Sequence, residues 1–302
     1  MRARLATLLA LGVLLALAGC GGGSADPPKD SAQGAEPIRL GTKNFTEQYI
    51  LGEIYAQALR AHGIPVELKS DIGSSEIVDQ AMQIGSLDMY PEYTGVLLSE
   101  IAGVSRRPPS AKATFDAART FERTRGYDLL TMTPFSNSNA LAVTHKTATK
   151  YGLRTIGDLD RIPGGATIAA PPEFRTRFEG LVGLRDRYML RAKVVAMPIG
   201  QQYKALDEGR VDAAAVFATD GMLEDEEYTI LRDPRNLFSF QNVTPVVRTS
   251  VLKRTPGLAK AVDPVSAKLT TDAMRKMNAQ VDIDGLDPAD VAKQFLEREG
   301  LL

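Results

Sequence analysis

Residues 38–69, IRLGTKNFTEQYILGEIYAQALRAHGIPVELK, decide the fold class of this chain. The first four residues and residues 66–68 have the extended, partly apolar character of short strands. Between them, apolar side chains recur at every third or fourth position, which predicts a helix from Glu47 to His62. A strand, a helix and a second strand within about thirty residues are typical of a parallel sheet. We therefore predict an α/β fold.

The alternation of strands and helices continues along the chain and starts again in its second half. Among the later elements, helices are predicted at 173–181, 256–277 and 288–299. One motif occurs in both halves, as QAMQIGSLD at 80–88 and as YKALDEGRVD at 203–212. In each copy a helix ends at a glycine, which supplies a left-handed turn, and a strand then opens on an apolar residue and an aspartate. This parallel predicts two similar lobes.

The chain begins with MRARLATLLALGVLLALAGC, which contains its only cysteine, Cys20. Arg2 and Arg4 precede an apolar run, and small residues stand just before Cys20, as in a secretory signal. This segment resembles the lipobox of bacterial lipoproteins, which implies a signal peptide at 1–19 and an acylated Cys20. The alternative of a transmembrane anchor is weaker, because the run is shorter than the roughly 20 residues that span a bilayer.

Residues 20–36 are mostly Gly, Ser, Ala, Pro, Asp and Lys, which predicts a flexible tether between the lipid and the body of the protein. We therefore expect the protein to be anchored to the cell membrane by its lipid, on the extracytoplasmic face. We expect it to be a monomer.

The composition narrows the class of function. The near balance of 36 basic and 37 acidic residues argues against a nucleic-acid partner. With Cys20 acylated, no thiol remains for a disulfide, a nucleophile or a metal site. Neither of the two histidines lies in a nucleophile motif or at metal-ligand spacing from the other. We expect a binder that is not an enzyme and needs no cofactor or metal, with a secreted hydrolase or transferase that uses only carboxylates as the rival.

Seven short motifs carry a resemblance to a known family. They are KNFTEQ (43–48), GSSE (73–76), DMYPEYTG (88–95), PEF (172–174), YKAL (203–206), TDG (219–221) and PVVR (245–248). In this order and spacing, over residues 38–301, they resemble the substrate-binding component of an osmoprotectant ABC importer for glycine betaine, choline or proline. The resemblance implies that a small-molecule ligand is captured and passed to the transmembrane subunits of an ABC permease.

The family's fold is a two-lobed periplasmic-binding-protein clamp of type II, in which two crossover strands act as a hinge. Applied to this chain, the resemblance implies one lobe from 37–140 and 246–302 and a second lobe from 145–242. The crossover strands are then expected at 140–143 and 243–247. Hinge closure around the ligand is the expected motion.

Zwitterionic osmolytes need two kinds of contact. A quaternary ammonium has no N–H and is held by aromatic faces, whereas a carboxylate is held by Lys, Arg or helix N-terminal amides. The resemblance implies Lys43 and Arg177 for the carboxylate, with Arg175 as a rival to Arg177. Because Lys43 lies at the entry of a helix, where the dipole disfavours a cation, we expect it to have an anionic partner, either a ligand or a nearby acid such as Glu47.

The family's cage of four tyrosines is only partly kept. Tyr93 matches the first position, and Phe217 keeps the ring of the third. In the run that begins at Asn137, Asn139 stands where the second tyrosine is usual, and Gln241 stands at the fourth. The implied ligand-binding residues are therefore Lys43, Tyr93, Asn137, Asn139, Arg177, Phe217 and Gln241.

The two replaced positions lead to our hypothesis that the ligand is not simple glycine betaine, or that glycine betaine binds weakly. Amides add directional donors and acceptors, which suit a non-quaternary polar or heteroaromatic ligand. Another ring, from Phe45, Phe135 or Phe240, could turn inward and restore a cage. A third alternative is an interaction lipoprotein whose cleft has degenerated.

Overall fold

The computed structural model describes residues 36–224 and 227–302. The predicted signal peptide at 1–19, the lipidation site Cys20 and the tether up to residue 35 lie outside the described residues. Over the described part of the chain, no helix combines the length and the apolar character that a bilayer crossing requires.

The strands are β1 (Ile38–Gly41), β2 (Val66–Lys69), β3 (Met89–Tyr93), β4 (Tyr127–Leu129), β5 (Asn139–Thr144), β6 (Thr167–Ala170), β7 (Lys193–Ala196), β8 (Ala213–Phe217), β9 (Tyr228–Leu231) and β10 (Val243–Arg248). The α-helices are α1 (Thr46–Ala61), α2 (Ser75–Gln83), α3 (Thr94–Val96), α4 (Ala111–Thr124), α5 (His145–Tyr151), α6 (Gly183–Tyr188), α7 (Gln202–Asp207), α8 (Thr249–Arg254), α9 (Leu258–Lys268), α10 (Thr271–Asp282) and α11 (Pro288–Arg298). Short 3₁₀ or π turns cover Leu97–Ile101, Ile156–Arg161, Pro172–Arg175, Phe178–Val182 and Gly221–Glu224.

The strands form two mixed sheets, which confirms the α/β fold class. The first sheet has the order β2-β1-β3-β10-β4, and the second has the order β7-β6-β8-β5-β9. In the first sheet β1 runs parallel to β2 and β3, and β10 runs antiparallel to β3 and β4. In the second sheet β6 runs parallel to β7 and β8, and β5 runs antiparallel to β8 and β9.

The chain passes between the sheets at residues 130–138 and 232–242, where Ser136 and Asn242 form an isolated antiparallel bridge. The stretches expected to cross, 140–143 and 243–247, lie instead inside β5 and β10. Each of these strands has a neighbour on both sides, so its apolar residues are buried within a sheet. The lobe boundaries stay a prediction.

Helix α1 fixes the position of the first cleft residues. Its apolar face is fully buried and packs against α9, α10 and α11. That face consists of Ile50, Leu51, Ile54, Ala58 and Leu59. Burying four large aliphatic side chains at roughly 1.5–3 kcal/mol each favours this placement strongly. The start of α1, with Lys43 and Phe45 just before it, is thereby held at the end of β1.

Two predicted helices differ from the structure. The helix expected at 256–277 is divided into α9 and α10, because the Thr270 side chain accepts the Ala273 N–H at 3.2 Å and caps a new helix. The helix expected at 173–181 is a 3₁₀ turn followed by a π turn, with non-helical backbone at Glu179 and Gly180. A Cβ at Gly180 would lie 2.2 Å from the Phe174 carbonyl oxygen, so glycine permits this close approach.

Candidate functional site

A cleft with about 700 Å³ of empty space opens between elements of the two sheets. All seven residues expected at the ligand site line it: Lys43, Tyr93, Asn137, Asn139, Arg177, Phe217 and Gln241. They come from the ends of β3 and β8, the start of β5, the two passing segments, and the turns that precede α1 and the π turn. The structure thus brings together residues that are far apart in sequence.

Lys43 is almost completely buried at one end of the cleft. Its Nζ donates to a Glu92 carboxylate oxygen and to Ser75 Oγ at 3.1 Å. It also lies 4.1 Å from the centre of the Tyr93 ring. Burial lowers the pKa of Lys43, and the charge and hydrogen bond of Glu92 oppose that shift. The anionic partner expected for Lys43 is therefore a nearby acid, but that acid is Glu92 and not Glu47.

Arg177 lies at the same end, paired with Glu76 of α2. Its Nε and Nη2 donate to the two carboxylate oxygens at 3.0 and 2.9 Å. Burial acts to raise the pKa of Glu76, but the hydrogen bonds and charge of Arg177 outweigh it and lower that pKa to about 2. The pair thus stabilises the fold above the ordinary Glu pKa of 4.5 and is lost as the pH falls toward 2.

The rival Arg175 is not part of the cleft lining. Its Nη2 donates to the Val194 carbonyl oxygen of β7 at 3.0 Å. Of the two arginines, Arg177 is therefore the one that faces the cleft. Because Glu76 belongs to α2 and Arg177 follows β6, their ion pair joins the two halves of the cleft.

Three nearly parallel rings line the cleft. Phe45 is 6.3 Å from Tyr93, with 20° between the ring planes, and 5.8 Å from Phe217, with 13° between the planes. Phe45 thus supplies a third ring between the other two. Phe135 is fully buried in the core, and Phe240 faces Arg107, whose guanidinium carbon is 4.3 Å from the ring centre.

Asn139 and Gln241, the amides at the two replaced tyrosine positions, both donate to the buried Glu179. Their nitrogens lie 2.9 and 3.0 Å from its carboxylate, which also accepts from the backbone N–H and the hydroxyl of Ser239. Burial raises the pKa of Glu179, and these hydrogen bonds oppose the shift. Within the described residues no basic side chain bonds to it. The amides thus hold a carboxylate at the cleft wall.

Glu47 is a second buried carboxylate without a basic hydrogen-bond partner among the described residues. It accepts from the Tyr93 hydroxyl at 2.7 Å, from Asn137 Nδ2 at 2.9 Å and from the hydroxyl of Thr219. Asn278 donates to it at 3.2 Å. Because Thr219 follows β8, this network also joins the two halves of the cleft. Burial raises the pKa of Glu47, opposed by its four donors.

A second cavity of about 1,140 Å³ lies on the other side of Phe45 and Asn137, which line both spaces. There Asp220 accepts from the Tyr203 hydroxyl at 2.7 Å and from the Phe217 N–H at 3.0 Å. Burial raises the pKa of Asp220 to about 7, against the pull of those two donors. This carboxylate therefore supports the strand end that carries the Phe217 ring.

The sequence did not identify Glu179 as a cleft residue, or Glu76 and Glu92 as the partners of Arg177 and Lys43. Glu76 lies within GSSE and Glu92 within DMYPEYTG, so both were present in motifs that had been recognised. Glu179 is in none of the motifs, and no local pattern marks it. The position of Glu179 depends on the π turn and on two distant donors. Asn139 lies 40 residues before it in the chain and Gln241 lies 62 residues after it.

The chain is similar in sequence and in structure to several known proteins. A family model for the substrate binding domain of ABC-type glycine betaine transport systems matches residues 36–298. The chain is 34% identical over 280 residues to a glycine-betaine-binding protein of Pseudomonas aeruginosa, covering 89% of each. It is 29% identical over 269 residues to an ergothioneine transport permease/ergothioneine binding protein of Helicobacter pylori, covering 88% of this chain and 48% of that protein.

The structure is similar to that of apo YehZ from Escherichia coli, with a TM-score of 0.65 and 29% identity. The match covers 89% of this chain and 100% of that one. The fold is that of the two-lobed type II periplasmic binding proteins. The chain therefore belongs to the family of substrate-binding domains of ABC-type glycine betaine transport systems.

Proposed function

We propose that this protein captures a small zwitterionic solute between its two lobes and delivers it to the transmembrane subunits of an ABC permease. The observation that carries the proposal is the distribution of charge along one ring-lined cleft. Lys43 and Arg177, each paired with a carboxylate, contact the first turn of α2, and Glu179, a buried carboxylate without a basic hydrogen-bond partner among the described residues, lines the same cleft. A zwitterion has the matching pair of charges.

The region of Lys43 and Arg177 suits the solute's carboxylate. Lys43 contacts Ser75 and Arg177 contacts Glu76, so both cations lie at the first turn of α2. The N–H groups of a first helical turn lack intrahelical partners and favour an anion. A carboxylate bound there would add to the Lys43 contacts or replace Glu76 as the partner of Arg177.

The part of the cleft wall that carries Phe217 and Glu179 suits the solute's cation. Phe217 of β8 is paired directly with Asn139 of β5, and side chains opposite each other on antiparallel strands are neighbours. Since Asn139 donates to Glu179, the Phe217 ring and the Glu179 carboxylate lie in one neighbourhood. A ring face contributes about 0.5–2 kcal/mol to binding a cation, and a nearby carboxylate adds Coulomb attraction.

A second candidate is a heteroaromatic zwitterion that bears a ring N–H. A quaternary ammonium cannot donate a hydrogen bond, whereas Glu179 is an acceptor held in place by two amides. Among the relatives, the Helicobacter pylori protein is named for ergothioneine. This candidate keeps the same binding site and the same transport role, and changes only the solute.

Titration calorimetry with glycine betaine, choline, proline betaine, proline and a heteroaromatic betaine tests both candidates. We expect the betaines to bind and choline, which lacks a carboxylate, to bind more weakly than they do. We expect the heteroaromatic betaine to bind more tightly than glycine betaine. Submicromolar binding of glycine betaine would contradict the second candidate. No heat with any member of the panel would contradict the capture of such solutes and favour a degenerate cleft.

The proposal extends to location and mechanism. An acylated Cys20 would anchor the protein on the extracytoplasmic face of the membrane, beside its permease. We also propose that the protein is a monomer. An unmodified Cys20 in protein extracted from membranes would contradict the lipid anchor.

The protein is proposed to bind its solute without converting it, so solute recovered after incubation should be chemically unchanged. The lobes are proposed to close on the solute by a hinge at the two passing segments.

A further inference from the structure

Arginines from both halves of the molecule line a groove separate from the solute cleft. The groove is shallow and open to solvent, and it is bordered by Arg106, Arg107, Arg187 and Arg235. Across residues 36–224 and 227–302, none of these four forms an ion pair with a carboxylate. The chain as a whole is nearly neutral, so this concentration of positive charge is local.

Neutral contacts hold the guanidinium groups in place. Arg107 donates to the side-chain oxygen of Asn236 at 2.9 Å. Arg187 donates to the carbonyl oxygens of Asn236 and Arg235 at 2.9 and 3.2 Å. Ring faces cover the same groups, with Phe240 below Arg107 and Phe178 below Arg187. Arginine stays charged in proteins, so these contacts orient the charges without neutralising them.

The groove straddles the boundary between the two halves. Arg106 and Arg107 lie in the loop before α4, whereas Arg187 lies in α6 and Arg235 follows β9. Hydrogen bonds cross this boundary from Arg107 to the Asn236 side chain at 2.9 Å and from Arg187 Nη2 to the Ser105 carbonyl oxygen at 3.4 Å. A partner bound in the groove would therefore touch both halves and respond to their relative position.

We propose that this groove docks an acidic, protruding segment of the permease. The four guanidinium forks match carboxylates in geometry, and their spread along a groove suits several carboxylates rather than one anion. A concave surface fits a protruding segment better than it fits a flat membrane. The identity of the partner rests on the proposed transport function, whereas the affinity of the groove for an acidic segment does not.

The test uses a fluorescein-labelled hexaglutamate peptide and the protein without its signal peptide. Fluorescence anisotropy at low salt should show binding that weakens as salt is added. The variant Arg106→Glu is informative because this side chain is exposed and makes no hydrogen bond among the described residues. We expect it to weaken binding roughly tenfold or more. Arg154→Glu is the control, since Arg154 is also exposed and lies outside the groove.

Equal binding by wild type and Arg106→Glu would overturn the proposal. So would displacement of the peptide by an equal concentration of inorganic phosphate, which would indicate a site for a single anion. Binding to phosphatidylserine vesicles without binding to the peptide would also overturn it, in favour of a membrane contact. Betaine calorimetry on the same variants separates the docking proposal from the proposal of solute binding, because Arg106→Glu should leave the affinity for the solute unchanged.

Discussion

Lys43→Met should lower the free energy of unfolding by about 3–5 kcal/mol, because it leaves Glu92 buried without its cation. The side chains of Lys43 and Glu92 are only 5% and 0% exposed, so water cannot replace the lost charge. The second oxygen of Glu92 already has no hydrogen-bond partner among the described residues. Chemical denaturation of the wild type and the variant measures the difference.

Two controls separate the buried charge from a general loss of packing. The double variant Lys43→Met, Glu92→Gln removes both charges and should recover much of the lost stability. Lys69→Met breaks a surface pair in which Lys69 is 38% and Glu67 is 53% exposed, and it should cost less than about 1 kcal/mol. If Lys43→Met costs no more than Lys69→Met, the pair does not hold this end of the cleft.

Glu179→Gln should reduce affinity for a betaine by about 2–5 kcal/mol, roughly 30-fold to several thousand-fold. The substitution nearly keeps the side-chain shape and removes the charge proposed to face the solute's cation. Because burial raises the pKa of Glu179, wild-type affinity should rise as the pH increases through that pKa. In the variant this dependence should disappear, which a purely structural role would not produce. Calorimetry at several pH values provides both measurements.

Glu173→Gln is the matched control for this prediction. Glu173 lines the same cleft, is half-buried, and makes no side-chain hydrogen bond among the described residues. It should therefore change betaine affinity little. If Glu173→Gln abolishes binding and Glu179→Gln does not, the cation lies against the other carboxylate and our assignment is wrong.

The fold class could be predicted because its evidence is local. The spacing of Ile50, Leu51 and Ile54 is enough to predict α1 and the face that it buries. The π turn around Glu179 could not be predicted in this way. It depends on the approach of Gly180 to the carbonyl of Phe174, six residues earlier, which no helical or strand periodicity encodes.

For the candidate site, too, the sequence predicts some features and not others. Resemblance to the family was enough to bring Lys43, Arg177 and the amide positions to one cleft. The hydrogen-bond partners of these residues could not be predicted from local sequence, because Arg177 and Glu76, for example, are separated by 101 residues. From the sequence we expected the side-chain amides of Asn139 and Gln241 to be free to bind a ligand. In the structure both donate to Glu179. Burial and pairing across the cleft are consequences of the folded chain, and no local pattern encodes them.

A crystal structure with a bound betaine is the most direct test of the account. We predict that the betaine carboxylate lies within hydrogen-bond distance of Lys43, Arg177 or the first turn of α2. We predict that its ammonium lies against the Phe217 ring beside Glu179. A betaine bound in the reverse orientation, or in the second cavity beside Tyr203, would contradict the account.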